Sequence, residues 1–450
     1  MKHILPTLLI SRWMLPTLLV AFAASARADT TDQRSFPSFS RATDTVSAEA
    51  EKYPLQWTPD SVRWQATLSG YGQSCPAIFG DKVFVTSVAG AKKESQITEC
   101  FDLGTGKKTW EHILSSSFPV ESSPMVSRAA PTPIADEQGV YVFFESGDLI
   151  ALDHAGTVKW QRTLQREFGS FENKFGLSAT PVQTAKHIYV LLDHSGDSRL
   201  LCADKATGAT TWQAARGKRA HSWSSPAAIQ VDGQPAIVCS SVGSLDAYSS
   251  VDGKLLCSYD KVGGNSVATP YDLGNGRFLV SSLVRPADGP SENALVSNLS
   301  AKIVREGDAY RLDIEWIAEE ARGSFCSPIE HAGFSYFLNP QGVLYCLDSK
   351  TGKQHYAKRT SCGACWATPF AVGDRLYLFG KEGSTAVLKV GAAYEELASG
   401  NQTWANDSNA DESNPSPMRR GGPTLYASVP FESGFLIRRG DALYRIPLAK

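Results

Sequence analysis

The stretch Ser-Cys-Gly-Ala-Cys-Trp-Ala-Thr-Pro, residues 361–369, carries the sharpest chemical signal in this chain. Cys362 and Cys365 form a C-x-x-C pair. Where such a pair opens a helix, the helix N-terminus lowers the thiol pKa and favours disulfide exchange. Here it precedes Pro369 and a β-rich run, which places it in a loop entering a strand. A local disulfide that stiffens the loop is the leading reading. A catalytic dithiol, half of a zinc site and free thiols are the others. No second C-x-x-C or clustered His pair accompanies it, as a structural zinc site would need.

A second constellation is aromatic. Counted back three residues from Pro226, Pro328 and Pro369 stand Trp223, Phe325 and Trp366. Arg219, His221 and the Cys362/Cys365 pair lie close by in sequence. Two readings compete. The rings either pack between structural units as core, or form a platform for a polymer, glycan or peptide. The oxygen-rich run from Asn406 to Asn414 lacks the central Gly of a calcium loop and reads as solvated linker. Asn298, Asn401 and Asn406 open N-x-S/T triplets, which matter only in a host that glycosylates them.

What positions these residues is a repeat. Asp102, Gly106 and Trp110 recur as Asp153, Gly156 and Trp160, as Asp204, Gly208 and Trp212, and as Asp348, Gly352 and Tyr356. Ser249, Gly253 and Cys257 are a weaker copy. The residues before each Asp alternate as in a strand with a buried face. The Asp accepts loop amides in an Asx-type turn. The Gly supplies positive φ, and the next strand carries a ring broad enough to cover a neighbouring sheet. Cys100, Cys202 and Cys346 each stand two before the turn Asp. Such equivalent positions lie too far apart to bond, so these cysteines read as small apolar fillers.

A second mark precedes each unit. It is a small residue and then Pro (Pro76, Pro133, Pro181, Pro226, Pro270, Pro328, Pro369), followed by strand, turn and strand. Together the marks give four antiparallel strands per repeat of roughly 40–60 residues, the pattern of a β-propeller. The expected fold is all-β: an eight-bladed propeller of four-stranded antiparallel blades. A degenerate eighth copy from Tyr426 stops after three strands. Ser61–Leu68, with Trp64 at the aromatic position, is expected to supply the fourth and close the ring, which removes two free sheet edges. Blade 5 carries the insertion Val284–Val296, and its outer strand is placed around Trp316.

The ends and composition narrow the function classes. Lys2 and Arg12 flank apolar runs, and Ala26-Arg27-Ala28 is a small-x-small site. Residues 1–28 therefore read as a signal peptide cleaved after Ala28, with a transmembrane anchor as the alternative although the apolar stretch is short for a span of about 20 residues; residues 29–54 read as a polar lead-in, and 55–450 as one propeller domain. A periplasmic or secreted location follows. The formal net charge is −2, with no basic stripe for nucleic acid. No mature segment reads as an integral membrane span. Nine Cys is an odd count, so at least one stays outside intrachain pairing.

The Pro-strand mark and the "ALD…G…W" mark resemble the pyrroloquinoline-quinone-like (PQQ-like) propeller repeat across nearly the whole mature chain. "VYVFFESGDLIALDHAGTVKW" and "FLIRRGDALYRI" look most like its exported BamB-like and planctomycete-type members. The resemblance implies a non-catalytic binding or scaffolding propeller outside the cytoplasm. Its partner would be a protein, peptide or polysaccharide at the channel mouth, and the expected state is a monomer without cofactor or metal. The alternative is a quinoprotein oxidoreductase. Enzymes of that kind share the repeat and hold their cofactor with calcium, an Asp base, a stacking Trp and a disulfide between adjacent cysteines. This chain has no Cys-Cys pair, and no Glu, Asn and Asp calcium set can be matched to its positions.

Overall fold

The computed structural model describes Met1 and residues 50–122, 126–219, 222–283, 292–405 and 424–449. Residues 2–49, and with them the expected leader, lie outside the described residues, as do His221, Asn406 and most of the blade 5 insertion.

Eight four-stranded antiparallel sheets follow one another along the chain. Blade 1 runs from Ala77–Phe79 to Lys108–Ser115, and blade 2 from Ile134–Asp136 to Val158–Thr163. Blade 3 spans Val182–Gln183 to Thr210–Gly217, and blade 4 Ala227–Val231 to Leu255–Tyr259. Blade 5 spans Tyr271–Gly274 to Ala309–Ile317, which holds Trp316 as expected. Blades 6 and 7 span Ile329–His331 to Gln354–Arg359 and Phe370–Val372 to Glu396–Gln402. Blade 8 has three C-terminal strands, Leu425–Phe431, Gly434–Arg439 and Ala442–Pro447. Its fourth is Trp64–Thr67, registered Trp64 to Arg445 and Thr67 to Ala442. The closing strand is shorter than the span read from the sequence.

Burial explains the patterning. Second strands such as Gly139–Phe143 are covered on both faces and buried throughout, so they read as unbroken apolar runs. Outer strands alternate, as Lys108–Ser115 does. Just before the closing strand, the chain straps blades 7 and 8 together. Tyr53 and Trp57 are buried. Trp57 Nε1 donates to Thr403 Oγ1 at 3.1 Å, and Asn401 bonds both the Trp57 amide and the Leu55 carbonyl. Asn401 and Asn298 are thus enclosed structural amides, and their N-x-S/T triplets are not surface acceptors.

The repeat motif works between blades. Asp102 Oδ1 accepts the Thr105 amide at 2.7 Å and its hydroxyl at 2.6 Å, and Asp204–Thr207 and Asp348–Thr351 do the same. The turn delivers Gly106, Gly208 and Gly352 at φ +72°. Each lies under a Trp of the preceding blade: Trp64, Trp160 and Trp316. Cys100, Cys202 and Cys346 pair across the strand with Trp110, Trp212 and Tyr356. All three are fully buried, as fillers would be.

Candidate functional site

The loop entering each innermost strand ends in a small residue and Pro. Seven of these small residues form a bonded series around the ring. The Cys75 amide donates to Thr132 Oγ1, Thr132 to Thr180, Thr180 to Ser225, Ser225 to Thr269, Thr269 to Ser327 and Ser327 to Thr368, at 2.9–3.3 Å. The hydroxyl gives each N–H an acceptor one blade further on. Pro at the next position has no N–H to satisfy and its fixed φ starts the strand. The sequence shows these residues as merely small; that six of the seven are Ser or Thr is the signal that was available.

Two residues further back, side chains from successive blades converge on a cavity of about 340 Å³. Gln73, Ala130, Ser178, Trp223, Val267, Phe325 and Trp366 come from blades 1 to 7, and Tyr426 comes from blade 8. A cavity that draws on all eight blades lies on the propeller axis. Trp223, Phe325 and Trp366, singled out by register alone, are brought together here. Phe325 and Trp366 approach at 5.6 Å between ring centroids, and Trp366 and Tyr426 at 5.7 Å. Across the ring Trp223 packs on Phe175 at 5.3 Å, and its Nε1 donates to Asn173 Oδ1 at 2.8 Å. Phe325 is 39% exposed.

The other expected site residues stand apart. Arg219 does not line the cavity. Its Nη2 lies 3.5 Å from Asp246 Oδ2, beside Arg216. Arg216 is buried between Asp193 and Asp246, with Ser241 and Tyr248 as further partners. Two cations and two carboxylates balance there, which is the condition for burying them. Charge pairing draws Arg219 into the seam between blades 3 and 4, and residue spacing could not reveal those acids. His221 falls outside the described residues.

Neither Cys362 nor Cys365 lines the cavity; they are free thiols, sulfurs 3.6 Å apart, both buried. Thr360 Oγ1 is 3.1 Å from Cys362 Sγ. The hydrogen bond from Cys365 pulls the Cys362 thiol below the ordinary thiol range, with help from Thr360. That same bond, together with burial, pushes Cys365 well up. Nothing here sits at a helix N-terminus.

The cavity does not fit a metal-bound quinone. None of its lining side chains is charged, whereas a polycarboxylate cofactor with a divalent cation needs cationic donors and carboxylate ligands. Among the described residues no group of three or more His, Cys, Asp and Glu is arranged to hold a metal ion. Nor is any helix among them long and apolar enough to cross a membrane.

A family model described as outer membrane protein assembly factor BamB matches residues 37–176 and 171–358. No curated protein sequence matches the chain. Among solved structures, BamB from Moraxella catarrhalis superposes with TM-score 0.58 at 13% identity, over 86% of this chain and 99% of that one. The quinohemoprotein alcohol dehydrogenase from Comamonas testosteroni gives 0.51 at 11% identity, over 92% and 80%. A computationally designed protein, Ika8, gives 0.53 at 11%, over 85% and 98%. At these identities the structures share the fold.

Proposed function

Since the chain belongs to the family described as outer membrane protein assembly factor BamB, we propose that it is a non-catalytic binding or scaffolding propeller that engages its ligand at the axial cavity. The supporting observation is the convergence of Trp223, Phe325 and Trp366 on one uncharged cavity. Aromatic faces bury large areas with few rotatable bonds, and a sheet scaffold holds them rigidly. The polar lining side chains are hydroxyls, the Gln73 amide and the Tyr426 phenol; no carboxylate, imidazole, thiol or amine stands among them to serve as a general base near neutral pH. The exported location rests on the leader-like residues 1–28, and the intact mass of exported protein should begin at Asp29.

Two assays test this reading. Purified protein given pyrroloquinoline quinone and Ca²⁺ should not support alcohol-dependent dye reduction; sustained turnover would favour the quinoprotein alternative. Envelope fractions passed over immobilised protein should leave a species that is retained by the native chain and lost from the Trp223→Ala, Trp366→Ala variant.

A further inference from the structure

We propose that the axial cavity takes a neutral saccharide, one or two sugar rings at the end of a glycan. The inference rests on reading the cavity as the ligand site and adds the class of ligand.

The first observation concerns protons. In the hydroxyl series, Thr180, Ser225, Thr269 and Ser327 line the cavity. Each oxygen accepts one N–H from the blade before it, and each hydroxyl proton has no acceptor among the described residues. Thr180, Thr269 and Ser327 are 5%, 8% and 9% exposed. Buried polar groups rarely stay unmatched, because each costs free energy without a partner. The cavity floor therefore asks for an occupant rich in oxygen acceptors.

The second observation concerns the walls. Trp223, entering blade 4, lines the cavity together with Phe325 and Trp366, which enter blades 6 and 7 and stand 5.6 Å apart between ring centroids. Flat rings call for flat apolar faces, which the C–H faces of a sugar ring provide. The third is charge. With no charged lining side chain, an acidic glycan, a phosphate or an ammonium group would lose its hydration without an ionic partner.

An extended peptide meets the walls less completely. Its N–H groups are fixed in direction along the backbone, whereas a sugar hydroxyl rotates, so it can accept from a floor hydroxyl while turning its own proton to another sugar oxygen or to the cavity mouth. The volume, about 340 Å³, sits at the small end of ligand pockets (~300–1,000 Å³).

The test uses mature full-length protein and tryptophan fluorescence. The probes are neutral cello-, malto-, manno- and chito-oligosaccharides, uronic-acid oligosaccharides and an apolar hexapeptide. Neutral oligosaccharides should bind with little response to added salt. Trp366→Ala should weaken them about tenfold, the loss expected for one stacked ring. Phe325→Leu keeps the apolar area, removes the flat face and touches an exposed position, so folding is preserved. It should weaken sugar binding several-fold and leave peptide binding unchanged. Binding of the hexapeptide or acidic glycans in place of neutral ones would overturn the saccharide assignment but keep the cavity as the site. If no probe binds and envelope retention is indifferent to Trp366→Ala, the binding reading itself fails.

Discussion

Trp160 in blade 2 reaches into blade 3: its Nε1 donates to the Lys205 carbonyl at 2.8 Å, and its ring covers Gly208 so closely that a Cβ there would stand 2.6 Å from Cδ2. Trp64, Trp110, Trp212 and Trp316 make the same bond to Leu103, His154, Ser250 and Ser349. The Asp-Gly turn and the Trp of one motif copy thus serve different interfaces. The turn receives the ring of the blade before, and the Trp reaches the turn of the blade after. This accounts for where the motif decays. Blade 5 lacks the Asp-Gly turn, and the residue that would cover it, in blade 4, is Cys257 rather than Trp. Blade 7 lacks the turn too. There blade 6 offers Tyr356, which meets Tyr394 edge-on at 5.5 Å.

Gly208→Ala should therefore cost more than backbone strain alone. A left-handed φ costs an L-residue about 1–2 kcal/mol, and pressing a methyl into Trp160 adds overpacking of about 1–3 kcal/mol. Gly233 has φ +79°, and a Cβ added there would meet nothing within 4 Å, so Gly233→Ala should show the strain alone. Thermal denaturation of the two variants measures the difference, and equal losses would mean that the Trp contact is slack.

Repeat spacing made the blade count, the closing strand and the three converging aromatics legible, because each repeats in register. What stayed hidden pairs across sequence. Arg216 finds Asp193 and Asp246 only once blades 3 and 4 are adjacent, and nothing in Arg219's neighbourhood signals that it turns the same way. The hydroxyl series was half legible. Ser or Thr before Pro was visible as small residues, but its meaning depends on a neighbour one blade along.

Deleting residues 61–68 should uncover the edge of Ala442–Pro447 and remove the Trp64 ring that covers Gly106 of blade 1. An unpaired edge templates association with another chain, so aggregation or a large drop in Tm is expected by light scattering and calorimetry. Trp64→Ala alone should cost about 3–5 kcal/mol, as buried Trp truncations do. An unchanged Tm on deletion would refute closure by this strand.

For the C-x-x-C pair, we propose a disulfide in exported protein. The sulfurs need only close from 3.6 Å to a bond of about 2.05 Å. Peptide mapping without reduction should find Cys362 joined to Cys365. After reduction, Cys362 should alkylate first, and at lower pH than an ordinary thiol, because its pKa is depressed and the thiolate is the nucleophile. Cys100, pushed up to about 11 by burial, and Cys239, pushed up to about 12, should stay unmodified near pH 8. Ready alkylation of both Cys362 and Cys365 without reductant would count against the bond.

The aromatic wall separates core from platform. Trp223 and Trp366 are half-buried, as Trp160 is; they differ in that their rings meet Phe175, Phe325 and Tyr426 at tilted angles and line the cavity, whereas the Trp160 ring lies on the Gly208 turn of the next blade. Trp223→Ala with Trp366→Ala should therefore lower stability by less than the ~3–5 kcal/mol of a single buried Trp, while binding at the cavity loses on the order of 1 kcal/mol per ring. Trp160→Ala is the comparison, since it removes a ring that holds two blades together. If the double variant melts as far below the native protein as Trp160→Ala does, the rings are structural and the cavity loses its claim as a site. If it melts close to the native protein and still retains the native ligand, the rings are bystanders, and the hydroxyl floor formed by Thr180, Ser225, Thr269 and Ser327 would have to hold the ligand alone.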